Sequence, residues 1–146
     1  MKVNIIIKKK IISGVDEAGR GSWAGPVVSA AVILKNYPNT KELKDSKILN
    51  KNDRNEIFNK LKKNSIIGVG FSSVKEIEKF NILQATFLSM RRAINSLTVT
   101  PDLLLIDGNR VPSKLTIEAY PIIKGDNFIS EISAASIVAK VIEMLI

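Results

Sequence analysis

The chain has no cysteine and no histidine among its 146 residues. Without cysteine there is no disulfide framework and no thiolate metal site. Without histidine, Ser-His-Asp and Cys-His mechanisms, imidazole metal ligands and a histidine general base are excluded. Catalysis in this chain must therefore draw on carboxylates, lysine, tyrosine, serine or a bound metal. Long apolar runs are also missing. Ile5–Ile7 is too short for a signal-peptide core, and Lys8, Lys9 and Lys10 interrupt it. No run approaches the ~20 residues that span a membrane. A soluble, cytoplasmic protein with no membrane partner is expected.

What is present points to a folded, basic domain. Hydrophobic residues make up 45% of the chain, too many for disorder, and the length suits one domain over 1–146 with a real core. The formal net charge of +8 suits a polyanionic partner. A Lys-, Ile- and Asn-rich composition of the kind an AT-rich genome imposes accounts for the charge equally well.

Apolar patterning predicts strands at 11–16 and 27–34, a turn at 36–39 and a polar loop over 43–50. A helix capped by Asn52 or Asp53 should run to about Lys63, followed by a strand over 65–73 and a short helix over 74–80. Asn81 reads as the cap of a longer helix. The apolar run Leu103–Ile106 stops at Asp107-Gly108, the pattern of a fully buried strand ending in a turn. Leu115–Ile123 reads as a strand, at an edge because of Pro121. Gly125-Asp126 is a turn. A small-residue helix from about Ser130 has the Ala and Ser to pack close to a sheet. Strands first, then strands alternating with helices, predict an α/β domain with a mixed sheet.

The stretch Gly14-Val15-Asp16-Glu17-Ala18-Gly19-Arg20-Gly21 carries the most chemistry. Its two carboxylates follow an apolar run, and strand ends in α/β sheets are where ligands gather. Asp107 and Asp126 also follow apolar segments closely and lie beside glycines. If the strands at 11–16 and 102–106 are parallel neighbours, Asp16 and Asp107 share one end of the sheet. Facing carboxylates repel unless they are protonated or bridged by cations. A set of Asp16, Glu17, Asp107 and Asp126 is best explained by Mg²⁺ or Mn²⁺, two of which can activate water and steady the leaving oxygen of a phosphodiester. Any one of these residues alone is more simply a turn or capping Asp.

Gly19-Arg20-Gly21 lets backbone N–H groups approach a phosphate, or is only a basic turn. It is neither a nucleotide-triphosphate loop nor a dinucleotide fingerprint, because the residues after Gly19 and the spacing to Gly25 are wrong. Lys47 reads as a phosphate contact or a solvated loop lysine. Arg91-Arg92 reads as a solvated face or part of a basic groove. Ser133, Ser136 and Lys140 share a helix face suited to packing, and Trp23 is better explained by packing than by stacking on a base.

The chain closely resembles the ribonuclease HII (type 2 ribonuclease H) family. The resemblance rests, in order, on GVDEAGRGSWAGPVVSAAVIL (14–34), DSKIL (45–49), NILQATFLSMRRA (81–93), LLIDG (104–108) and KGDNFISEISAASIVAKV (124–141). It implies the ribonuclease H fold, a mixed sheet flanked by helices. It implies an endonuclease that cuts RNA in RNA–DNA hybrids and nicks duplex DNA 5′ of an embedded ribonucleotide, leaving a 3′-hydroxyl and a 5′-phosphate. The family's metal-binding carboxylates map onto Asp16, Glu17, Asp107 and Asp126. Its turn that reads the ribose 2′-hydroxyl maps onto Gly19, Arg20 and Gly21. A monomer using Mn²⁺ or Mg²⁺ is expected.

Two departures stand beside the resemblance. Ser22-Trp23 replaces the more usual Pro-Leu. Family members usually continue beyond the AASIVAK helix, with further helices and a tyrosine stacked near the cut, so the resemblance implies a C-terminally short chain. Neither Tyr37 nor Tyr120 matches that tyrosine. One rival is an inactive nucleic-acid-binding remnant or fragment of the same fold. Another is a ribonuclease H-fold transposase or junction nuclease, which suits the carboxylates but not Arg20 between two glycines.

Overall fold

A computed structural model describes residues 10–19, 25–46 and 49–146. It contains a five-stranded sheet in the order β3-β2-β1-β4-β5. Strand β1 (Ile12–Ala18) is central. It pairs antiparallel with β2 (Val27–Leu34), which pairs antiparallel with β3 (Ser65–Ser72). On its other side β1 runs parallel to β4 (Leu103–Asp107), which runs parallel to β5 (Glu118–Ile122). The sheet is mixed, as the patterning predicts. Strand β2 reads as a continuous apolar run because it is buried on both faces from Val27 to Ile33.

Side-chain alternation splits the core in two. On one face, Ala30 and Val32 of β2 meet Ala134, Ala135 and Val138 of α5 (Ser130–Met144). Leu43 of α1 (Thr40–Lys44) and Ile57 and Leu61 of α2 (Lys51–Asn64) complete that layer. On the other face, Val15, Ala31, Leu104 and Ile106 meet Phe87, Met90, Ala93 and Ile94 of α4 (Ile82–Asn95). The approach of α5 depends on Gly14, where a Cβ would collide with the backbone of Glu131 and Ile132. The small-residue helix does pack close to the sheet, and the strand supplies the missing side chain.

Local chemistry sets the helix starts. Asn50, rather than Asn52 or Asp53, caps α2, its Oδ1 accepting the Asp53 N–H at 2.9 Å. Ser73 leaves β3 to form a capping box with Glu76 at the start of α3 (Val74–Phe80). Asn81 caps α4, as expected, at φ +75. Arg92 of α4 donates two hydrogen bonds to Glu76 at 2.7 and 2.8 Å and one to the Phe71 carbonyl, tying α3, α4 and β3 together. Hydrogen bonding from Arg92 holds the partly buried Glu76 carboxyl down at about 2.

Three expectations are revised. The polar loop begins inside α1, whose Leu43 is fully buried, so one apolar side chain outweighs the polar surroundings. The edge strand is shorter, Glu118–Ile122, because residues 111–117 instead pack Val111, Leu115 and Ile117 against the core beneath α4. Strand β1 continues past the expected end at Asp16 to Ala18, so Glu17 lies within it as well.

Candidate active site

The parallel register Val15↔Ile106 puts Asp16 beside Asp107, the last residue of β4. Both belong to the C-terminal ends of neighbouring parallel strands, which is the sequence expectation. Gly108 turns the chain at φ +124, and its N–H donates to the Ile122 carbonyl at 3.0 Å. The third carboxylate, Asp126, sits in the 3₁₀ turn Gly125–Asn127 that precedes α5. That turn is fastened from the helix side, where the Ser133 hydroxyl donates to the Asp126 carbonyl at 2.6 Å. It is also fastened from the sheet side, since the Gly125 and Asp126 N–H groups donate to the Asp107 carboxyl. Ser133 is therefore more than packing.

Asp16 is only 4% exposed, and its Oδ1 accepts the Glu17 N–H at 2.8 Å. Burial drives its carboxyl well above the ordinary range, and the Glu17 side chain and the Asp107 charge push in the same direction. Asp107 is also raised, by burial first and then by the charge of Asp126, against the pull of its two backbone donors. Its Oδ1 is buried without a hydrogen-bond partner. A buried, unpaired carboxylate oxygen facing other carboxylates is costly unless something positive meets it.

Glu17, one residue on, starts from the opposite face of β1, but its side chain reaches back to the Asp16 carboxyl as a hydrogen-bond partner, and its charge is felt at Asp107. It lines a cleft of about 70 Å³ with Leu83, Thr86, Phe87 and Met90 of α4 and with Asp107–Arg110. Asp16 thus meets Glu17 and Asp107, and Asp107 meets Asp126, in a chain of carboxylates rather than a closed ring. Accordingly, no group of three or more acidic side chains among the described residues forms a finished cation cage. A roomier cavity of about 490 Å³ lies at the opposite end of the strands, lined by Ile11, Ile33, Leu34 and Ile66 with Glu131 as its only carboxylate. Chemistry rather than volume selects the smaller cleft.

Gly19 closes β1 at φ +97, and a Cβ there would press on the Pro26 carbonyl at 2.7 Å and on Glu143 Oε2 at 3.0 Å. Arg20, Gly21, Trp23 and Lys47 lie outside the described residues. Arg110, three residues past Asp107, lines the cleft and went unnoticed in the sequence. Its place immediately after the Asp107-Gly108 turn was the available signal.

A mixed sheet flanked by helices, with carboxylates at the ends of its adjacent parallel strands, defines a protein of the ribonuclease H-like fold. Solved structures agree. The ribonuclease H2 of Pyrococcus horikoshii OT3 superposes with a TM-score of 0.79 at 29% identity, covering 92% of this chain and 74% of that one. Bst-RNase HIII, solved in complex with Mn²⁺, shares the fold with a TM-score of 0.75 at 19% identity, covering 93% of this chain and 52% of that one. A sequence model described as Ribonuclease HII matches residues 13–146, and the chain belongs to that family of ribonuclease H enzymes. It is 55% identical to the Ribonuclease HII of Pelagibacter ubique and 52% identical to that of Albidiferax ferrireducens, over 90% of its own length in each case. It spans 71% of the first relative's length and 63% of the second's.

Proposed function

We propose that the chain is a metal-dependent ribonuclease H that cuts RNA paired with DNA and nicks duplex DNA 5′ of an embedded ribonucleotide. The observation that carries this is Asp16 beside Asp107 at the ends of parallel strands, with Asp107 Oδ1 buried and unpartnered. Asp16, Glu17, Asp107 and Asp126 are the residues that would hold Mg²⁺ or Mn²⁺. When bound, such ions supply Lewis acidity for a water and for the leaving oxygen. With no imidazole in the chain, such ions would supply a route to a hydroxide nucleophile at neutral pH.

The protein's own part is positioning. The Gly125 and Asp126 N–H groups orient the Asp107 carboxyl, and Ser133 holds the turn that carries Asp126. Water adds to phosphorus, the P–O3′ bond breaks, and the products carry a 3′-hydroxyl and a 5′-phosphate. Gly19, Arg20 and Gly21 read the 2′-hydroxyl, the group that separates RNA from DNA at one position, and Lys47 meets a phosphate.

The test is cleavage of a DNA duplex carrying one ribonucleotide, with Mg²⁺ and with Mn²⁺, by the wild type and by Asp107→Asn. A metal-dependent nick 5′ of the ribonucleotide, abolished by the substitution, is expected. Full activity in Asp107→Asn would sink the assignment. The open arrangement of the four carboxylates favours a second reading, a binding module of the same fold without turnover. Salt-dependent binding of hybrids with no cut in either metal would support that reading.

A further inference from the structure

Arg91 and Arg92 are neighbours in sequence, but the fold uses them differently. Arg92 is spent on Glu76 and the Phe71 carbonyl. Arg91 turns the other way, towards the loop between β4 and β5, where its Nη1 donates to the Ser113 carbonyl at 3.4 Å. It lines a pocket of about 280 Å³ between α4 and that loop. Lys114 and Thr116 face Arg91 and Asn95 across it, over a floor that includes Ile94 and Leu115. No acidic residue lines the pocket, and Lys114 has no ion-pair partner among the described residues.

This pocket lies further along α4 than the candidate cleft. Met90 lines the cleft and Arg91 the pocket, and Arg110 lines the cleft while Lys114, four residues on, lines the pocket. From Phe87 in the cleft to Arg91 and Asn95 in the pocket, α4 rises about 6–12 Å at 1.5 Å per residue. That equals the rise of about two to four nucleotides of a duplex at 3.4 Å per strand position. Arg110 is exposed between the two and has no ion-pair partner among the described residues.

We propose that the Arg91–Lys114 pocket is a backbone-phosphate subsite, holding a nucleic-acid strand a few nucleotides from the cut. Two cations, an amide and a hydroxyl over an apolar floor suit a phosphate oxygen and its adjoining sugar. The strained Lys114 backbone, at φ +63, keeps the loop turned at this point. The subsite rests on the ribonuclease H reading of the neighbouring cleft. It adds affinity and register to that reading, and no chemistry.

The test compares wild type with an Arg91→Ala/Lys114→Ala double variant. Binding of a labelled long hybrid is followed by fluorescence anisotropy in EDTA across a salt series, and KM is measured with metal. The variant should bind the long duplex roughly tenfold more weakly, with a salt slope smaller by about two, and its KM should rise in proportion. On a duplex trimmed close to the cut, variant and wild type should match. Arg91→Lys/Lys114→Arg should restore binding, and a Lys62→Ala/Lys79→Ala pair, which removes equal charge elsewhere, should leave the slope unchanged. No loss in the double variant, the same loss in the control pair, or a loss that persists on the trimmed duplex would overturn the subsite. If wild type cuts normally under any of those outcomes, the ribonuclease reading survives. If wild type neither binds nor cuts, both fall.

Discussion

Asp107 is held in a conflict that the fold does not resolve. Two backbone donors stabilise its charge, while burial and the Asp126 and Glu17 carboxylates oppose it. Without metal, replacing it by Asn should therefore stabilise the chain while removing the proposed activity. The side chain is only partly buried, so the gain is modest, about 1 kcal/mol or ~3 °C in Tm. The pH dependence follows the same logic. Asp16 and Asp107 have folded values raised above the ordinary 3.8. Their contribution to stability is present below that value and lost as pH rises through the raised values. Urea unfolding in EDTA should show wild type gaining on Asp107→Asn as pH falls from neutrality towards 3.8. A gap that does not narrow would mean that Asp107 is not strained.

At the scale of elements, the site depends on how closely α5 lies against β1. Gly14 allows that contact, and the same helix carries Ser133, which holds the Asp126 turn. Gly14→Ala should push the helix away and cost about 3 kcal/mol, read as a lowered urea midpoint, with metal binding weakened as well. Unchanged stability would mean that the helix has room to shift. Several element boundaries were visible beforehand: the buried run of β2, the short strand ending at Asp107, and the Asn81 cap. The start of α2 and the whole of α1 were not. Asn50, Asn52 and Asp53 are equally good capping residues, and only the backbone geometry chooses Asn50. Five residues around one buried leucine are too few to show a helical period.

At the scale of the molecule, the carboxylates crowd one end of a sheet in a chain whose formal charge is +8. A divalent cation that binds the folded state alone should raise its stability by about 2.7 kcal/mol at a hundred times Kd. Thermal melts with and without Mn²⁺ should show that rise in wild type and a much smaller one in Asp107→Asn. Equal shifts in both would place the ion elsewhere. Among the described residues, no helix is long and apolar enough to cross a membrane.

The sequence by itself determined the class of chemistry. With no histidine or cysteine, and with acidic residues placed after apolar strands, the candidates were carboxylates and a metal. It also carried the fold, because buried β-runs and a small-residue helix read locally, and the family motifs lie along nearly the whole chain. Only the tertiary structure decided which carboxylates meet. Asp16 and Asp107 are ninety-one residues apart, and their adjacency follows from the parallel register of β1 and β4. It also decided that the Glu17 side chain reaches back to Asp16, and that Arg91 is released towards a pocket while Arg92 is bound to Glu76. These depend on strand alternation and helix rotation within a packed core, which a string of residue types leaves open until the elements pack.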